Sequence, residues 1–202
     1  PEAGGIAALS RQMLGVLAGM QEDGLITLSV DVLEGDGLDA IGSRSLPRIT
    51  SDSPVRFHGG NRLRFSLAVA AARCDLRMFD HAGLARLQSL ISPLRGPYLL
   101  MIHGVEMWRA RRRDYHRAAR KAAALIANSD YTARRTRHCC SGLPDIQVCH
   151  PGIDAPVLND DREPGHAEET GPHAMLIVGR LDTSQRHKGH DQLLDALPTV
   201  LD

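Results

Sequence analysis

Apolar residues follow two alternating rhythms along this chain. In "PEAGGIAALSRQMLGVLAGM" they fall at Ile6, Leu9, Met13, Val16-Leu17 and Met20, a spacing near 3.6 that predicts a helix opening at Gly4-Gly5. Over residues 25–33 the period drops to two, with Ile26, Leu28, Val30 and Val32 in step, and a strand is expected. Residues 34–62 are rich in Gly, Asp, Ser and Pro and predict a long loop with room for one short strand. A helix is expected over 62–74, with Leu63, Leu67, Ala70 and Cys74 on its core face. "DLRMFDH" then predicts a short strand, and a helix is expected around 84–91.

The middle of the chain is the most regular. "YLLMI" at 98–102 is a continuous apolar run, the pattern of a strand buried on both faces. A long helix over 108–122, a strand at 124–127, a helix over 131–138 and a strand at 146–149 are expected to follow. Strands alternating with helices imply parallel pairing in a layered α/β sheet. The apolar runs close with His103-Gly104, Asn128-Ser129-Asp130, His150-Pro151-Gly152 and Gly179-Arg180. In open α/β sheets ligands sit beyond the carboxyl ends of the strands, so these turns outline a candidate cleft. Such turns also need Gly and capping residues for purely structural reasons.

"APVLNDDREPGHAEETGPH", residues 155–173, is acidic, aperiodic and contains Pro and Gly, as linkers do. "AMLIVG" then reads as another buried strand, with a helix from about His190. The expected organisation is a first domain over 1–153, a linker over 154–173 and the start of a second domain over 174–202. One strand and one helix cannot close a core, so the chain reads as a fragment.

Composition narrows the function classes. The 202 residues are 43% apolar and 24% charged with zero formal net charge, which suits a globular protein and gives no chain-wide attraction for nucleic acid. No apolar run approaches the ~18 residues of a spanning helix, and the first residues lack a signal-peptide pattern. Cys74, Cys139, Cys140 and Cys149 form no CxxC pair and no zinc spacing; free thiols and a reducing, cytoplasmic compartment are expected.

Gly4-Gly5 at a helix start offers bare N–H groups at the positive end of a helix dipole, although two glycines also make a plain turn. Arg180 follows a buried strand and Lys188-Gly189 precedes a helix; together they could neutralise a diphosphate. Lys is rare here, since 22 of the 24 basic residues are Arg. His103, ending a buried strand, could carry a proton or hydrogen-bond a hydroxyl, or be a structural histidine. "WRARRRDYHRAARK" holds seven basic residues against one Asp, with Arg109, Arg112, Arg113, Arg117, Arg120 and Lys121 spread over one helix surface. A solvated face, an anionic membrane or lipid-phosphate surface, and a nucleic-acid surface all fit it.

"HGVEMW", "IANSDYTARRTR", "VCHPGID" and "VGRLDTSQRHKGHDQLLDALPTV" together resemble the successive signatures of family 4 retaining glycosyltransferases. The resemblance runs from Gly4 to about Leu201. It implies an α/β fold of GT-B type: a Rossmann-like, parallel-sheet N-terminal domain lacking its first strand, plus the first strand and helix of a second Rossmann-like domain. It implies a nucleoside-diphosphate-sugar donor, a glycan or lipid-linked acceptor and no metal. Arg180, Lys188, Gly4 and Gly5 would then lie at the donor diphosphate and His103 at the donor sugar. Gly104, Glu106, Ser129, Gly179 and Gly189 are further cleft candidates. The turn between Arg180 and Lys188 is a long form of the family motif with His187 at its aromatic place, and the Glu-x7-Glu element is absent. Residues 1–202 alone are therefore expected to be inactive, within a protein that is cytoplasmic or peripheral on the inner membrane face. The alternatives are a non-hydrolysing sugar-nucleotide epimerase of the same fold and a non-catalytic membrane-docking α/β domain.

Overall fold

The computed structural model describes residues 5–34, 54–89, 96–108, 112–152, 175, 177 and 188–201. The chain divides into two compact units, Pro1–Leu158 and Asn159–Asp202. The first holds α1 (Gly5–Glu22), β1 (Val30–Val32), β2 (Val55–Phe57), α2 (Arg62–Ala71), β3 (Arg77–Phe79), β4 (Tyr98–Ile102), α3 (Val105–Trp108), α4 (Arg113–Lys121), β5 (Ala124–Ala127), α5 (Asp130–Cys139) and β6 (Ile146–Val148). The second contributes α6 (His190–Leu201).

Every strand pairing is parallel. β1 and β2 form a two-stranded sheet, and β3-β4-β5-β6 lie side by side in chain order in a four-stranded one. β4, β5 and β6 are parallel neighbours joined through helices, a mixed α/β, Rossmann-like arrangement as the alternating pattern predicts. β4 is central because its run is apolar on both faces: Tyr98, Leu100 and Ile102 have no exposure and Met101 almost none. Tyr98 buries its ring edge-on to Phe79 and donates its hydroxyl to the Ala118 carbonyl at 2.5 Å. Burial pushes its pKa up to about 12, so this donor stays protonated at any ordinary pH. Met107, Ala118, Ala119, Leu125 and Ala133 complete the core between sheet and helices.

Several sequence expectations need correction. The strand expected over 25–33 is ordered as β only at Val30–Val32. α2 buries Phe65 and Val69, an i, i+4 pair, while Leu63, Leu67 and Cys74 are exposed. The aromatic ring claims the core and turns the expected face outward. Along α1 only Ala18 is buried, and Ile6 and Val16 stand exposed. Residues 82–87 are turns, and helix is seen only at 88–89 in place of a helix from Leu84. The single helix expected over 108–122 is broken, because Arg112 has φ −93° and ψ 57°, outside the helical region, and α4 starts after it. Of the buried strand expected in "AMLIVG" only Met175 and Ile177 are described, and both are exposed and outside any strand; the 155–173 linker lies outside the described residues. All four cysteines are free thiols.

Candidate functional site

The carboxyl ends of β3 and β4 place Asp80-His81 and His103-Gly104 side by side. His103 is half-buried, and its Nε2 lies 2.6 Å from the Asp80 carbonyl. A carbonyl only accepts, so Nε2 carries the proton. In the neutral ring Nδ1 is then left as an acceptor. The Asp80 side chain extends the connection: its Oδ2 lies 2.8 Å from Ser10 Oγ, which also lies 2.9 Å from the Ile6 carbonyl. The one Ser10 proton goes to one acceptor at a time; donated to Asp80, it completes a path from His103 through Asp80 to Ser10 on α1, the helix that opens at Gly5. Gln12 donates to the Gly152 carbonyl at 2.9 Å, tying α1 to the turn after β6 as well.

The His103 turn is built by its own short-range chemistry. Glu106 Oε1 accepts from the backbone N–H of His103 at 2.6 Å and of Gly104 at 3.1 Å. This carboxylate at the start of α3 satisfies N–H groups that would otherwise lack a partner. Glu106 therefore holds the turn in shape. Gly104 has φ +132°, a region side chains avoid, and an added Cβ would stand 2.9 Å from the Trp108 ring. The glycine is needed for the tight return into α3, whose Trp108 meets Tyr131 edge-on at 5.6 Å.

His81 stands beside this turn. Its Nδ1 accepts the Gly83 N–H at 3.0 Å, and its ring packs edge-on to Tyr115. Burial lowers its pKa, opposed by the carboxylates of Glu106 and Asp80 and aided by His103 and Arg112. Neutral His81 has Nε2–H as its donor. Ser129 is the N-cap of α5, accepting the Thr132 N–H at 3.1 Å, so its role in the structure is to start a helix. Asn128 Nδ2 reaches the His103 carbonyl at 3.5 Å.

The structure thus brings Gly5, His103, Gly104, Glu106 and Ser129 to one edge of the first unit. Lys188 and Gly189 belong to the second unit: Lys188 is exposed, and Gly189, φ +90°, precedes α6 and accepts the Leu193 N–H. Gly4, Gly179, Arg180 and Arg109 lie outside the described residues. Arg112, Arg113, Arg117, Arg120 and Lys121 lie on the exposed side of α4 and its cap, opposite the buried Ala118 and Ala119. Ser10, Asp80 and His81 join the site without having been singled out from sequence. The signal was present, since Asp80-His81 closes β3 just as His103-Gly104 closes β4. Arg77 interrupts the short apolar run ahead of it, so the strand was expected but the polar pair closing it was not marked as a site.

A second polar cluster lies on the two-stranded sheet. Arg56 donates to both oxygens of Asp31 at 2.9 and 2.8 Å, and His58 Nε2 lies 2.8 Å from Oδ1. Burial raises the Asp31 pKa, but the hydrogen bonds and charges of Arg56 and His58 outweigh it and leave a net lowering.

Among the described residues no helix is long and apolar enough to cross a membrane, and no group of three or more His, Cys, Asp or Glu is placed to hold a metal ion. Comparison with characterised proteins gives no match, and neither does comparison with solved structures. The family model described as Glycosyltransferase Family 4 matches residues 21–156, from the end of α1 to just past β6. That stretch is more than half of the chain and contains the parallel sheets, the His103 turn and the basic helix α4. This chain belongs to glycosyltransferase family 4.

Proposed function

We propose that the protein transfers a sugar from a nucleoside-diphosphate sugar to an acceptor hydroxyl with retention of anomeric configuration. The acceptor is a glycan or a lipid-linked sugar, and the residues described form the acceptor-side domain of a two-domain GT-B enzyme. In the reaction the bond between the anomeric carbon and the diphosphate oxygen breaks, its electron pair leaving with the diphosphate. The acceptor oxygen takes that place on the same face of the sugar, and its proton passes to the departing diphosphate. Negative charge grows on the leaving diphosphate, where Arg180 and Lys188 supply cations and the Gly4-Gly5 end of α1 supplies N–H groups. These groups do the work for which other enzymes use a metal, so no metal is required.

The observation that carries this reading is the His103 turn. In a chain of this family, a half-buried histidine ends the central strand with Nε2 committed to Asp80 and Nδ1 left to accept from a sugar hydroxyl. Asp80 and Ser10 link that ring to the helix end proposed to meet the diphosphate.

The test uses the full native protein and its kcat/KM with a nucleoside-diphosphate sugar. Lys188→Ala and Arg180→Ala are each expected to lower it at least about tenfold, roughly 1.4 kcal/mol of transition-state stabilisation. Smaller losses contradict their assignment to the diphosphate. Donor incubated without acceptor should keep its sugar configuration; an altered sugar would identify an epimerase instead.

A further inference from the structure

Two neighbouring helices concentrate cations. Residues 112–121 and 130–139 carry eight Arg or Lys against two Asp. Both of those Asp are engaged: Asp114 with Arg86 at 3.3 Å and Asp130 with His150 at 3.5 Å. Arg112 lies over the Tyr115 ring, Arg120 holds the Ser141 carbonyl and Arg137 the Ile146 carbonyl. Arg113, Arg117, Lys121 and Arg134 are exposed and take no partner among the described residues.

These cations share one side of the sheet. β4, β5 and β6 are adjacent and parallel, and the right-handed crossovers between them put α4 and α5 on the same face. The Arg120–Ser141 and Cys140–Met107 contacts stitch the two connections together. Arg113, Arg117 and Lys121 recur every fourth residue on α4, and Arg134 with His138 repeats that spacing on α5, opposite the buried Thr132, Ala133 and Thr136. At one end stands Tyr131, 54% exposed, against Trp108, whose ring Arg135 covers at 5.0 Å. Cations bordered by amphipathic aromatics suit the headgroup layer of a bilayer, where both find partners at one depth.

We infer that the outer face of α4 and α5 docks on an anionic lipid bilayer. The surface is wider than the α4 stripe alone. This inference rests on charge placement and stands apart from the sugar-transfer reading.

Co-sedimentation of the full native protein tests it, with phosphatidylcholine vesicles and with vesicles containing about one-third phosphatidylglycerol. Binding is expected to the second and not to the first, and to fall steeply as salt is raised. Each Arg removed from the face should lower partition about fivefold, so Arg117→Gln with Arg134→Gln should lower it roughly 25-fold. Arg62→Gln with Arg64→Gln removes the same charge from exposed positions on α2 and should leave most of the binding intact. Unchanged circular dichroism of both variants confirms folding. Equal losses from the two pairs, equal binding to neutral vesicles, or preference for duplex DNA over vesicles would each overturn the inference.

Discussion

The His103 turn and the outer face of α4 and α5 belong to the same β4-to-β6 stretch, yet they hold polar groups in opposite ways. At the turn, each group is fixed by a named partner: His103 by Asp80, the turn's N–H groups by Glu106, Asp80 by Ser10. On the helices the cations are exposed, several without a partner among the described residues. A fixed, half-buried group can distinguish one ligand atom from another, because misplacing it leaves a polar atom unpaired. An array of exposed cations responds to net charge and tolerates loss of any one member. Chemistry is therefore expected at the edge and attraction on the face.

Gly104→Ala should break the contrast most severely. It forces a side chain into φ +132° and against the Trp108 ring, and a loss of about 2–3 kcal/mol is expected in denaturant unfolding. His103→Gln can keep a donor toward Asp80 but loses the Nδ1 acceptor. Its kcat/KM should fall about tenfold, one hydrogen bond's worth, with little change in melting temperature. Ser129→Ala removes the α5 N-cap and should cost about 1 kcal/mol of stability without altering kcat/KM.

A pH effect sharpens the same contrast. Burial holds His81 below the usual 6.5, so the unfolded chain takes up its proton first. Its contribution to stability is full above about pH 6.5 and is lost as pH falls through the folded value. His81→Asn should flatten stability against pH in that window, a change visible in melting curves. On the face the expected effect is smallest: Arg117→Gln should shift stability by no more than about 0.5 kcal/mol.

Legibility followed the same division. Tyr98–Ile102 and Ala124–Ala127 were readable because strands inside a parallel sheet are apolar throughout, with no competing pattern. His103-Gly104 and Asn128-Ser129 stood out as polar interruptions after those runs. β3 is three residues long with Arg77 inside it, and the polar pair that follows escaped notice for that reason. α2 was placed correctly but rotated, since periodicity alone cannot rank Phe65 against Leu63 for the same core space. The helix break at Arg112 has no Gly or Pro to announce it. Arg113 and its neighbours were read correctly as exposed, yet the contribution of α5 needed the crossover geometry. Which nitrogen of His103 faces the site depends on a carbonyl 23 residues away, and no local pattern encodes that.

The most direct test of sugar transfer is release of nucleoside diphosphate by the full native protein across a panel of nucleoside-diphosphate sugars, with and without a chelator. Turnover of at least one donor, unchanged by chelation and reduced about tenfold or more by Lys188→Ala, is the predicted result. A protein that binds and turns over no member of the panel, or whose turnover survives loss of Lys188 intact, would contradict it.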